Sequence, residues 1–285
     1  FWFSYIEPQP GNLNVTNENQ NIKPLLDQVK RELGICQDPM LVLAETQVAY
    51  VRQKIDLLEV VSGCDTPNIY DVYCRSQNGV IHMFQGKEVS GCCARVCCRG
   101  DSKPFQMQMK HVTNPYMREA DFMDTYAVFE RPFKCTCCCL ARPKMTGFYR
   151  SIEGTQFGEI TQPFTCFSPL LVVKDVRGMD RFKINIDCCQ CGMCCKNSCF
   201  GACCGEVLIP IFDAQTDDYD TKNSIGMIKK TSAGVLQEMF TEADNFEITF
   251  PSSASPEEKL LIIGATLMID YRFFEDSQKK ENNVN

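Results

Sequence analysis

Most of the twenty cysteines of this chain fall in three clusters, and their spacing is what offers chemistry. Cys92-Cys93 stands near Cys97-Cys98, Cys135 precedes Cys137-Cys138-Cys139, and a long run extends from Cys188 to Cys204. Three chemistries use thiols grouped in this way. Within the run, Cys191 and Cys194 make a C-x-x-C, the bite that holds one tetrahedral Zn2+ or part of an Fe–S cluster, with Cys188 and Cys199 as candidate partners. The two histidines, His82 and His111, lie far from it in sequence. Disulfides come second, but vicinal pairs and a Cys-Cys-Cys run make poor cross-links, and a chain of this length folds without them. The third is S-acylation: thiols beside basic or apolar residues accept palmitoyl chains, each adding about 0.8 kcal/mol of membrane affinity per buried methylene. Buried thiols acting as small apolar side chains are the structural alternative.

Other constellations carry less. The acidic stretch with Asp213, Asp217, Asp218 and Asp220 reads as a solvated loop able to hold a cation only weakly. There is no G-x-S-x-G, no Walker-type phosphate loop and no H-E-x-x-H, and a Cys–His nucleophile would need His82 or His111 beside a thiol in space. The chain therefore reads as a non-enzyme. Its net charge of −7 argues against nucleic acid and against non-specific attraction to bare anionic lipid. Any membrane attachment must come from something other than overall charge. The opening residues, Phe1 to Ile6 followed by Glu7 and Pro8, do not read as a cleavable secretory leader.

The elements that must position these residues are mostly strands. Residues 1–45, rich in Asn, Gln and Pro, read as a largely irregular arm with a short helical candidate over residues 24–33. From residue 46 onward, apolar and β-branched residues alternate in short runs: 47–61, 70–74, 80–84, 105–112, 125–130, 147–152, 158–161, 170–175, 182–186, 207–212, 224–229 and 246–250. Asn78-Gly79 between two such runs predicts a hairpin. Residues 233–241 fit either a short helix or a strand. The final element is a helix over 256–274, opened by a capping box of Ser255 with Glu258 and by Pro256 at its first position. Its run from Leu260 to Ile269 carries no charge, yet ten residues cover only about half of a bilayer core of about 30 Å. Leu260, Leu261, Ile262, Ile263, Leu267 and Ile269 leave the helix no polar face, so something must surround it. Many antiparallel strands and one such helix point to a sheet closed about the helix, followed by a polar tail over 277–285.

Several blocks together resemble the phospholipid scramblases. They are Ile55 to Gly63, the cysteine pairs before Lys103-Pro104-Phe105, Glu130-Arg131-Pro132-Phe133-Lys134-Cys135, Glu238 to Phe246, Phe250-Pro251, and Ile269-Asp270-Tyr271-Arg272-Phe273-Phe274-Glu275. They occur in order over about residues 46–276. The resemblance implies a tubby-like fold: all-β with one central helix, a closed twelve-stranded antiparallel barrel around an apolar C-terminal helix.

It also implies calcium-stimulated, bidirectional movement of phospholipids between leaflets by a lipid-anchored protein on the cytoplasmic face of a membrane. The family's acylated run maps onto Cys135, Cys137, Cys138 and Cys139, flanked here by Lys134 and Arg142. Its calcium segment maps onto residues 242–253, where Glu242, Asp244 and Glu247 are the oxygen candidates. Glu247 stands at the sixth position, where an EF-hand has Gly, so Ca2+ is expected to bind weakly, at roughly 10⁻⁴–10⁻³ M. Two readings stay open: a lipid transporter, and a palmitoyl-anchored adaptor that recruits protein partners into a larger assembly.

Overall fold

The computed structural model describes residues 38–54, 67–76, 79–91, 104–112, 122–134, 142–165, 168–187, 190, 206–231 and 245–274. A short helix, α1 (Pro39–Glu45), precedes twelve strands: β1 (Val48–Lys54), β2 (Ile69–Ser76), β3 (Gly79–Val89), β4 (Phe105–Val112), β5 (Phe122–Arg131), β6 (Lys144–Tyr149), β7 (Gln156–Thr161), β8 (Leu170–Asp175), β9 (Asp180–Asn185), β10 (Glu206–Asp213), β11 (Gly226–Thr231) and β12 (Asn245–Thr249). A turn of 3-10 helix, Thr221–Asn223, lies between β10 and β11, and α2 (Pro256–Phe273) follows β12. Each strand pairs antiparallel with its sequence neighbours. β1 also pairs with β12, Val48 opposite Thr249, so the sheet closes into a twelve-stranded barrel.

Alternation explains the closure. Ala49 and Val51 of β1, Phe105, Met107 and Met109 of β4, Phe182 and Ile184 of β9, and Phe246 and Ile248 of β12 are all buried at every second position. They form one core with α2, whose Leu260, Leu261, Ile262, Ile263, Leu267 and Ile269 are also buried. Burying those six side chains contributes roughly 9–18 kcal/mol before chain entropy is set against it. The capping box forms as the sequence requires: Glu258 N donates to Ser255 Oγ at 3.3 Å, and Ser255 N donates to Glu258 Oε2 at 2.8 Å. One contact is tight. A Cβ on Gly264 would lie 2.7 Å from Cε1 of Phe129, so the helix passes β5 only because residue 264 has no side chain.

Two expectations need adjustment. The strand placed at 147–152 runs instead over Lys144–Tyr149, because the chain turns at Arg150, a non-glycine residue with φ of 64°. Residues 39–45, assigned to the irregular arm, form α1, capped by Asp38, whose Oδ1 accepts from Met40 N at 3.0 Å. β1 is described over Val48–Lys54, and residues 55–61 of the expected run lie outside the described residues. The predicted hairpin is present: Ser76 pairs with Gly79, whose φ of 126° is one that only glycine adopts freely. Residues 24–33 and 233–241 lie outside the described residues.

His111 gives the core a pH dependence. It is buried near Phe84 and Tyr126, with ring centroids 6.3 and 6.4 Å away, and its Nε2 has no hydrogen-bond partner. Burial holds its pKa below the ordinary 6.5, only partly offset by Asp38. Below pH 6.5 the unfolded chain takes up a proton that the folded ring refuses, so stability falls with pH until the depressed folded value is reached. The expected slope in that window is up to about 1.4 kcal/mol per pH unit. Unfolding transitions recorded from about pH 7.5 to about pH 5.5 should lose part of their slope in His111→Met. An unchanged slope would place the dependence elsewhere.

Candidate functional site

Antiparallel strands send successive connections to opposite ends of a barrel. The connections after β1, β3, β5, β7, β9 and β11 leave from one end. All but Cys36 and Cys74 of the twenty cysteines belong to them. The other end carries α1, the start of α2 and the connections after the even-numbered strands, which contain no cysteine. The three cysteine clusters therefore belong to connections that leave the barrel from the same end, the cysteine end.

Each end of α2 is fastened. At its start, Lys259 Nζ donates to the carbonyls of Leu43, Ala44 and Thr46 at 2.8, 3.0 and 2.9 Å, which ties α1 across the barrel mouth. Glu258 pairs with Arg181 of β9, and Tyr149 Oη donates to Glu257 at 3.3 Å. Burial and Glu257 both push the Tyr149 phenol upward. At the cysteine end, buried polar groups take over. Tyr70 Oη donates to Asp270 Oδ2 and Tyr271 Oη donates to Glu88 Oε2, both at 2.6 Å. Glu88 also accepts from Asn68 N and Nδ2 at 3.1 Å and from Ser90 Oγ at 2.6 Å. Phe105 stacks on Tyr271 at 4.3 Å, Lys230 Nζ lies 3.5 Å from the Phe274 ring centroid, and Arg272 pairs with Gln162. No helix among the described residues is long and apolar enough to cross a membrane, and α2 is held inside the barrel at both ends.

The outer face carries one dense polar cluster. Asp71 of β2 pairs with Lys54 at 3.1 Å and His82 at 3.2 Å and accepts from Gln85 at 3.0 Å, while His82 stacks on Tyr73 at 4.6 Å. Burial pushes the Asp71 carboxyl up, but these partners outweigh it and leave the group below the ordinary range. Cys74, the one cysteine among the described residues, is buried in the core, so His82 and Cys74 face opposite ways. The acidic loop uses its carboxylates locally. Asp213, Asp218 and Asp220 accept from backbone N–H groups two residues ahead, and Asp217 pairs with Lys183 at 3.1 Å.

The profile of the Scramblase family matches residues 32–276. The chain belongs to the scramblase family. Among scramblases it is similar to human phospholipid scramblase 1, 29% identical over 247 residues, covering 86% of this chain and 69% of the relative. Bovine phospholipid scramblase 2 is 29% identical over 240 residues, covering 84% of this chain and 72% of the relative. Human phospholipid scramblase 2 is 28% identical over 275 residues, covering 95% and 83%. No solved structure matches the chain.

Within this scramblase barrel, Cys135, Cys137, Cys138 and Cys139 lie outside the described residues, as do Cys188, Cys191, Cys194, Cys199, Glu242 and Asp244. Among the described residues no group of three metal-ligating side chains occurs. Glu247 is half-buried in the middle of β12, between Tyr50 and Lys229 in the ladder. The sequence reading missed α1, the Lys259 staple and the Asp270 and Glu88 contacts. Asp38-Pro39, a cap residue before a proline, is the signal that marks α1.

Proposed function

We propose that this scramblase-family chain moves phospholipids between membrane leaflets in both directions, held at the cytoplasmic face by acyl chains on Cys135, Cys137, Cys138 and Cys139. The observation that carries this reading is the segregation of cysteine-bearing connections to one end of the barrel. Acyl chains on that end would hold it against a bilayer, and anchoring on several chains is firm where one is marginal. The relatives' names add that they act on phospholipids. The run Cys188, Cys191, Cys194 and Cys199 shares this end, where Zn2+ or Fe–S ligation is the alternative to acylation.

Of the family's calcium segment, only residues 245–253 are among the described residues. Residues 245–249 are positions four to eight of the twelve-residue register and run as extended strand, whereas an EF-hand loop turns sharply at its sixth position. The described part does not fit such a loop, and no step of lipid movement is routed through it. Calcium stimulation is proposed instead as a weak effect of the carboxylates Glu242, Asp244 and Glu247. The last of these makes no ion pair among the described residues.

One observation favours an adaptor without transport. The barrel interior is filled by α2 and the inward side chains, leaving the core closed to headgroups. Lipid would have to pass along the outer surface or beside the docked end. Purified acylated protein in vesicles carrying a fluorescent lipid separates the readings. Transport predicts leaflet exchange faster than in protein-free vesicles, rising further with millimolar-range Ca2+. Exchange at the protein-free rate, with the protein still bound, would establish the adaptor.

A further inference from the structure

Phe133 and Phe164 stand 57% and 60% exposed. They follow β5 and β7, the two neighbours of β6, and so both sit at the cysteine end. Arg142, just before β6, lays its guanidinium over the Phe164 ring, 5.2 Å from the centroid. Its Nε is buried without a hydrogen-bond partner. Neither Arg142 nor Lys134 is paired with a carboxylate among the described residues, although nearby Lys144 is paired with Glu159. Acids outnumber bases in this chain, so two cations without an acidic partner among the described residues, at the same barrel end as two exposed aromatic rings, form a distinct local surface.

We propose that Pro132, Phe133, Lys134, Arg142 and Phe164 form a bilayer-docking surface. The two rings enter the interface at headgroup depth, and the two cations meet the phosphates of anionic lipid. Aromatic rings favour that depth because one layer accepts both apolar and polar contacts, and a guanidinium lying on a ring keeps its donors beside the lipid phosphates. Charge complementarity and sequence continuity both favour a bilayer as the occupant. The cations match anionic headgroups, and the thiols of residues 135–139 lie between Lys134 and Arg142 in the chain. The proposal rests on the cysteine end facing the membrane. It adds contacts that do not depend on acylation and that would fix the angle at which the barrel sits.

The test uses the full chain made without acylation and co-sedimented with phosphatidylcholine vesicles with or without phosphatidylserine. The expected result is binding that favours the anionic vesicles and weakens about tenfold or more in Phe133→Ser/Phe164→Ser, since each ring is worth roughly a factor of ten or more in transfer. Arg142→Gln should erase most of the preference for phosphatidylserine. A second variant, Phe164→Trp, puts a reporter ring in the docking surface and should show blue-shifted emission on vesicles, above the background of Trp2. Binding no greater than to empty tubes, equal binding by a folded double serine variant, or emission from Phe164→Trp that does not shift when vesicles are added would each overturn the docking surface. A protein that docks but gives no lipid exchange removes the transport reading and leaves the docking surface standing. A protein that exchanges lipid while the double serine variant binds unchanged does the reverse.

Discussion

Lys259→Met is expected to lower the unfolding free energy by about 3 kcal/mol and to detach residues 38–46 from the barrel mouth. The ammonium is buried and donates to three carbonyls at once, two of them on the last turn of α1, where helix carbonyls lack intrahelical donors. Leu43 O keeps a second donor in Thr46 N at 3.2 Å, so the main loss falls on Ala44 O and Thr46 O. Leaving each unsatisfied in a buried place costs about 1–3 kcal/mol. Burial already holds the lysine pKa below 10.5, so part of the cost is returned when the charge is removed, which keeps the sum for the two carbonyls in the lower half of about 2–6 kcal/mol. Lys259→Arg should also destabilise, because a planar fork cannot place one compact charge among three converging oxygens. Urea unfolding measures the energy, and hydrogen exchange at residues 40–46 shows whether α1 has let go. A loss below about 0.5 kcal/mol would mean that the carbonyls find water instead.

The second large effect is expected at Gly264. Alanine is normally about 1 kcal/mol better than glycine inside a helix, so propensity alone predicts that Gly264→Ala stabilises. Packing predicts the opposite. The added carbon would stand 2.7 and 2.8 Å from two ring carbons of Phe129, a buried side chain held edge-to-face against Phe157 at 5.8 Å. Overpacking typically costs about 1–3 kcal/mol, so Gly264→Ala should come out destabilised by about 1–2 kcal/mol and Gly264→Val by more. Phe129→Leu in the alanine background should recover part of the loss. If Gly264→Ala raises the unfolding midpoint, the ring has room to move and helix propensity decides.

Both effects mark what sequence could and could not convey. Residues 170–175 are strand as predicted, because four consecutive apolar residues followed by Lys174 and Asp175 leave little choice. α2 is equally legible: its cap chemistry is local, and an apolar run without a polar face needs a surrounding wall. β6 is displaced from its expected place because its end is set by Arg150 in the left-handed region, a conformation that an arginine does not announce. α1 is too short to show a helical period. The polar contacts of α2 are invisible in the sequence for a different reason. Lys259 and Asp270 read as charges that bound an apolar run, and only the closed barrel reveals that both are buried with partners some two hundred residues away in sequence. The cysteine clusters are obvious as a pattern, yet their common placement follows from strand parity, which requires the count and order of all the strands.

The pairing of β1 with β12 also sets a timetable for synthesis. The strand that closes the barrel, Asn245–Thr249, and the helix that fills it leave the ribosome after every other strand of the barrel. Until then the nascent sheet has two unpaired edges and an apolar inner face with nothing to cover it. At about 5–20 residues per second, the interval between Val48 and Ile269 lasts roughly 10–45 s. Through that interval the unfinished barrel exposes aggregation-prone surface, and a stop codon anywhere before α2 would release a sheet without the helix that fills its core.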